Sequence, residues 1–323
     1  MVSLMCENSK LIESLRHACG EQILNALEHP NIVEIMLNPD GRLWIEEYGK
    51  DQEYIGEVNE KNARLIITHV ASALGLVVNS VNPVVEGNFP LDGSRFEGTY
   101  PPIVAKPSFS IRKKANKVIK FDEYLSNGVI TSEVVEIIKQ AILERKNIIV
   151  AGGTSSGKTT FVNAVIDVLS GLCPKDRLLI LEDTPELQSN SENTVFFRTN
   201  DIANITMQSL TKVCMRYAPK RILVGEVRDK AALELLKAWN TGHPGGIGTI
   251  HANSAEETLM RLEELVEEAG NGAKPKLIGR AVDLIVYMEK TKQNTRRLSQ
   301  IIEVKQYNPN TRDYEINTLY GVK

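Results

Sequence analysis

The residues Gly152-Gly153-Thr154-Ser155-Ser156-Gly157-Lys158-Thr159 fit the pattern G-x-x-x-x-G-K-[ST], and Thr160 follows directly. Glycines at the first and sixth positions let backbone N–H groups turn inward around phosphate oxygens. A helix starting at the lysine would present its positive N-terminus to the same oxygens. In such a loop Lys158 reaches the β- and γ-phosphates of a nucleoside triphosphate, and the Thr159 hydroxyl ligates Mg²⁺. The chemistry on offer is therefore phosphate binding, with ATP and Mg²⁺ as the expected ligands.

Hydrolysis needs more, and two acidic segments supply it. Arg177–Leu187 (RLLILEDTPEL) delivers Glu182 and Asp183 at the end of an apolar run, and Arg221–Asp229 (RILVGEVRD) delivers Glu226. In an open α/β sheet, carboxylates at the C-terminal strand edge face the bound nucleotide. One would hold the Mg²⁺ water shell, and the other would orient or deprotonate the attacking water. His251 in Gly248–Asn253 (GTIHAN) follows another apolar strand and falls at the same edge, where it would sense the γ-phosphate or link the nucleotide to a neighbouring element. His243 sits in a Gly/Pro-rich stretch that reads as a flexible loop.

The elements that must position these groups alternate from about residue 128 onward. Thr131 opens a helix with Val134, Ile137, Ile138, Ala141 and Ile142 on one face. Residues 147–151, 177–181, 221–224 and 246–250 are short apolar strands, and 158–169 is a helix. Apolar strands separated by helices imply an α/β fold with a parallel sheet covered on both faces. The first hundred or so residues differ: helical spacing over 9–28 and 62–76, with short strands at 33–37 and 42–47 and around 81–85, 95–100 and 108–112. That is a smaller α+β domain, assigned to 1–113, with a polar, basic linker at 114–127 and the second domain at 128–323.

A chain of 323 residues with 42% hydrophobic and 24% charged residues suits two soluble domains. Its net charge of -3 gives no sign of a nucleic-acid partner. The cysteines at 6, 19, 173 and 214 form no CxxC pair and read as reduced thiols of a cytosolic protein. The amino terminus has no signal-peptide pattern, and the uncharged stretch 65–85 is interrupted by His69, Asn79, Ser80, Asn82 and Pro83, so no transmembrane helix is expected.

The order GGTSSGKTT, RLLILEDTPEL, RILVGEVRD, GTIHANSAEETLMRLE resembles the type II/IV secretion, or traffic, ATPases, whose Walker A, Asp-box, Walker B and His-box motifs run in that sequence. The stretches VEIMLNPDGRLWIEEYG, NPVVEGNFPLDGSRFEGTYPPI and FSIRKK resemble the N-terminal domain of the TrbB-type conjugal-transfer branch. The resemblance implies a RecA-like P-loop NTPase domain preceded by a PAS-like domain. It also implies a homo-hexameric ring at the cytoplasmic face of a bacterial inner membrane, peripherally attached through the membrane components of a secretion or conjugation apparatus. Carried over by motif, Lys158 and Thr159 bind phosphate and Mg²⁺, Glu182 and Glu226 are the acidic pair, and His251 is the His-box histidine. Arg95 and Arg112 match the N-terminal arginines that approach the phosphates, and Arg228 is a candidate for an intersubunit contact. Which carboxylate is the base stays open. Ser155-Ser156 stands where many relatives have Gly-Ser, which is tolerated if the backbone stays out of positive φ. A DNA-dependent RecA-like ATPase or helicase is the alternative, and a nucleotide-binding scaffold with little turnover is a third reading.

Overall fold

The computed structural model describes residues 2–47, 50–113, 118–200, 203–270, 272–291 and 295–321, with the side chains of residues 2–8 excepted. It divides into two compact units, Met1–Asn116 and Lys117–Lys323.

The first unit runs α1 (Val2–Glu28), β1 (Ile32–Leu37), β2 (Arg42–Glu47), β3 (Gln52–Glu57), α2 (Glu60–Ala73), β4 (Val84–Asn88), β5 (Arg95–Thr99) and β6 (Ser108–Arg112). Its six strands form one antiparallel sheet in the order β3-β2-β1-β6-β5-β4. Asn59 caps α2 by accepting from the Asn62 N–H, and the helix buries Ala63, Ile66, Ile67, Val70 and Ala71. These meet Leu15, Cys19 and Ile23 of α1 and Ile35, Phe96, Phe109 and Ile111 of the sheet in a single core. Strand pleating then decides where the arginines go. Phe96 and Ile111 face the helices, so Arg95 and Arg112, one residue along, point to the other face. Nothing in the sequence marks β3, an edge strand that buries none of its residues fully and so has no apolar run.

The second unit contains α3 (Phe121–Ser126), α4 (Ser132–Leu143), β7 (Ile148–Gly152), α5 (Lys158–Leu172), β8 (Leu178–Glu182), β9 (Thr194–Arg198), α6 (Met207–Cys214), β10 (Arg221–Val224), α7 (Ala231–Asn240), β11 (Ile247–His251), α8 (Glu257–Glu267), α9 (Pro275–Ala281), β12 (Leu284–Lys290), β13 (Arg296–Asn308) and β14 (Asp313–Gly321). The sheet order is β14-β13-β12-β7-β11-β10-β8-β9. From β12 to β9 every neighbouring pair is parallel. Both faces are covered: Ile148 and Val150 of β7 enter the core with α3, α4 and α5, while Ile149 and Ala151 enter the core with α6, α7, α8 and α9.

Two expectations need correction. The sheet is not parallel throughout, because β13 and β14 extend it as antiparallel strands. Nor is 114–127 one linker. Residues 114–117 lie outside the described residues, and Phe121 and Tyr124 of α3 pack on Phe161 of α5 at ring separations of 5.8 and 5.6 Å. Among the described cysteines Cys19, Cys173 and Cys214 are free thiols, and burial pushes those of Cys19 and Cys214 up to about 12. The Cys6 side chain lies outside the description.

Candidate functional site: a glycine loop between a buried strand and a helix

All five residues of β7 are buried, so the chain leaves the sheet at a fixed point and turns at Gly152. A Cβ on Gly152 would lie 2.2 Å from the carbonyl oxygen of Met288 on the neighbouring β12, which only glycine avoids. At the far end Gly157 caps α5 with φ 90°, a left-handed conformation that again favours glycine. Ser155 corrects an expectation, since it has φ 58° and so does enter positive φ. Its carbonyl accepts a hydrogen bond from Arg296 Nε at 3.0 Å. Gly153, Thr154 and Ser155 are exposed, Thr159 and Thr160 are half-buried in the first turn of α5, and Ser156 is buried.

Lys158 is 92% buried, and Nζ donates to the carbonyls of Gly152 at 2.9 Å and Gly153 at 2.8 Å. The same Nζ lies 3.3 Å from His251 Nδ1. His251 ends β11 in register with Gly152, and its Nε2 lies 3.2 Å from Glu226 Oε1. An ammonium can only donate, so Nδ1 accepts from Lys158 and the ring proton sits on Nε2, facing the carboxylate. The sheet order explains the meeting, because β11 lies between β7 and β10 and its histidine reaches both strand ends.

Glu182 occupies a different environment. Its Oε1 accepts from the backbone N–H groups of Glu186 (2.8 Å) and Leu187 (2.6 Å), and Oε2 is buried without a hydrogen-bond partner. Burial pushes this carboxyl above its ordinary range against the opposing pull of those N–H groups. Gly225 makes the room, since a Cβ there would lie 3.3 Å from Glu182 Cγ. Next to it, Asp183 pairs with Arg228 at 2.5 Å and accepts from Thr199 Oγ1 at 2.7 Å. The Thr249 hydroxyl donates to the Gly225 carbonyl at 2.6 Å, tying β11 to the turn that carries Glu226.

The structure thus gathers Lys158, His251 and Glu226 within hydrogen-bonding reach, with Glu182 beside the Gly225 turn. Arg95 and Arg112 belong to the first unit, where they are directly opposite one another on β5 and β6, and Arg95 pairs with Glu86 at 3.2 Å. His243 precedes β11, at the opposite edge of the sheet from Gly152. The loop that carries it is tied down there, because Asn147 Oδ1 accepts from the N–H groups of Gly245 (2.9 Å) and Gly246 (2.8 Å). Arg296 went unnoticed in the sequence: it stands far along the chain from the loop and in no apolar or glycine-rich pattern.

The residues fit a nucleotide with Mg²⁺. Glycine is obligatory where the backbone turns, and two buried oxygens, Ser156 Oγ and Glu182 Oε2, lack protein partners. Among the described residues no cluster of three His, Cys, Asp or Glu could hold a metal alone. An ion here would need the Thr159 hydroxyl and phosphate oxygens as well.

Residues 18–314 match the family model described as Type II/IV secretion system protein. The chain is 49% identical over 298 residues to a probable conjugal transfer protein TrbB of Sinorhizobium fredii, covering 92% of this chain and 91% of that one. It is 46% identical over 301 residues to the conjugal transfer protein TrbB of Rhizobium radiobacter, covering 93% and 92%. Among solved structures, the pilus retraction motor PilT with bound ADP aligns over 92% of this chain and 82% of its own, with a TM-score of 0.62 at 19% identity, a likeness of fold. Among the described residues no helix is long and apolar enough to cross a membrane.

Proposed function

The chain belongs to the type II/IV secretion system protein family, and from that premise we propose that it is an ATPase powering type IV secretion or conjugal transfer, with ATP bound at Gly152–Thr160. The observation that carries the reading is the contact chain from Lys158 through His251 to Glu226, which joins the phosphate loop to an acidic strand end.

Lys158 reaches a phosphate oxygen by exchanging a loop carbonyl for it, and the inward N–H groups of the loop with the N-terminus of α5 receive the remaining charge. Bound Mg²⁺ would neutralise charge on the β- and γ-phosphates, with Thr159 as its protein ligand and Glu182 or Glu226 holding it through water. Glu226 is the better placed base. It is partly exposed, and the Nε2–H of His251 orients it, leaving the other oxygen for the attacking water. Glu182 has one oxygen committed to two backbone N–H groups, which suits it to holding the turn after β8 in place beside Gly225. Arg95 and Arg112 are the proposed cations for phosphoryl charge from the first unit. We read the second unit as a RecA-like core and the first as a PAS-like domain, acting as a homo-hexameric ring at the cytoplasmic face of the inner membrane.

Lys158→Ala is expected to lower ATP hydrolysis by about 100-fold or more, measured as phosphate release. Hydrolysis at the parent rate would overturn the site. Glu226→Gln separates a motor from a scaffold: the motor loses transfer in a mating assay while it still binds ATP, whereas a scaffold keeps transfer.

A further inference from the structure

A phosphate loop that turns its N–H groups inward turns its carbonyls outward, toward water or a protein donor. The loop's own lysine serves the carbonyls of Gly152 and Gly153, and the Phe161 N–H of α5 serves that of Gly157. Ser155 is served from elsewhere in the fold. Its carbonyl accepts from Nε of Arg296, the first residue of β13, and Arg296 Cδ lies 3.3 Å from where a Cβ on Gly157 would stand. Pleating puts Arg296 on the same face of β13 as the buried Leu298, which joins the core that α4 and α5 share. The opposite rim is held by the same hairpin, because the Met288 carbonyl of β12 closes on Gly152.

We propose that Arg296 is a positioning residue for the phosphate loop: by holding the Ser155 carbonyl it keeps this non-glycine residue left-handed and the loop open for phosphate. Serine at φ 58° is strained, and without a restraint it relaxes toward negative φ, rotating its flanking peptides out of the cradle. Arg296 touches no reacting atom in this role. It acts on nucleotide affinity and leaves the chemical step alone. Lysine cannot replace it fully, because the donor used is Nε, close to the backbone, and the guanidinium is planar where an ammonium is a point charge.

The inference rests on the nucleotide reading for its effect on affinity but not for its effect on the loop, so the test has two arms on the full chain. Hydrogen exchange of ligand-free protein is expected to quicken by about fivefold or more at residues 153–157 in Arg296→Ala, with β8 and β10 unchanged. Titration with fluorescent ADP is expected to show Kd raised by roughly five- to tenfold, the loss of one charge-assisted hydrogen bond, with kcat within about twofold. Arg296→Lys falls between and covers the case in which the alanine variant does not fold. In a Ser155→Gly background, where left-handed φ carries no strain, the Arg296→Ala penalty on Kd shrinks to about twofold or less. Unchanged exchange at the loop overturns the proposal. So does a fall in kcat at constant ADP affinity, or the same penalty with Ser155 and with glycine. If the parent chain binds no ADP, the nucleotide reading fails, and the exchange arm alone decides whether Arg296 braces the loop.

Discussion

Two carboxylates stand at strand ends in the candidate site, Glu182 closing β8 and Glu226 just past β10, and their surroundings differ. Glu226 is in contact with solvent and a histidine, whereas Glu182 is sealed beneath the sheet edge with Oε2 unpaired. A carboxyl whose folded pKa is raised contributes stability that is complete below its ordinary value of 4.5 and is lost as pH rises through the folded value. As pH rises toward 8 the native protein therefore loses this contribution. Glu182→Gln keeps the oxygen that accepts from Glu186 and Leu187 and removes the charge. Its Tm is expected to exceed the parent's at pH 8, with the difference fading toward pH 4.5, as followed by thermal melts across that range. A Tm that falls equally at both ends would mean the charge is satisfied by a partner. The roles of these side chains were only half legible in the sequence. Glycine, lysine and the acidic strand ends are fixed by local spacing. The burial of Glu182 depends on Gly225, more than forty residues further on, and the left-handed Ser155 depends on an arginine another strand away.

At the scale of elements, the edge of the sheet opposite the loop is held by charge. Arg221, at the start of β10, is 1% exposed, and its Nε donates to Asp176 at 2.7 Å. Its Nη2 donates to the Ile142 carbonyl at the end of α4 at 2.9 Å, while Arg145 reaches the second oxygen of Asp176 at 2.6 Å. Burial works to raise the Asp176 pKa, yet the two guanidinium groups together outweigh it and hold the carboxyl below its ordinary range. This depressed pKa gives stability that is present above 3.8 and is lost as pH falls through the folded value. Asp176→Asn leaves a buried guanidinium without its counter-ion and is expected to cost about 3–5 kcal/mol in urea unfolding at pH 7. The gap between variant and parent should narrow below pH 3.8. The arginine is written in RILV, but the aspartate that justifies burying it lies in an unremarkable turn, which is why the sequence placed the strand and missed its anchor. The antiparallel strands β13 and β14 escaped for a related reason. Toward the rim of the sheet buried residues alternate irregularly with half-buried and exposed ones, so polar and charged residues interrupt the apolar run by which an inner strand is recognised.

At the scale of the whole chain, each unit has its own core and its own sheet. The proposed division of labour gives nucleotide binding to the second unit and phosphoryl-charge stabilisation to the arginines of the first. In the full chain, Arg95→Ala with Arg112→Ala is therefore expected to leave ADP affinity near the parent value and to lower kcat by about tenfold or more. Equal kcat would place those arginines outside the reaction. Light scattering with ATP and Mg²⁺ is expected to give the mass of six copies, and a monomer at high concentration would count against the ring. The sheet order has one more consequence, and it concerns synthesis. Ile148 of the loop's strand lies in register with Ile247 on one side and Leu284 on the other, both distant in sequence. While the chain is emerging from the ribosome, β7 has neither neighbour, and its edges stay open to wrong pairing until β11 and β12 have been made. The first unit, built largely from hairpins, has all its strands by Arg112. A chain arrested before Leu284 would thus carry the strands of the first unit and a glycine loop with no wall for Gly152, so the proposed capacity to bind nucleotide waits on the synthesis of β12.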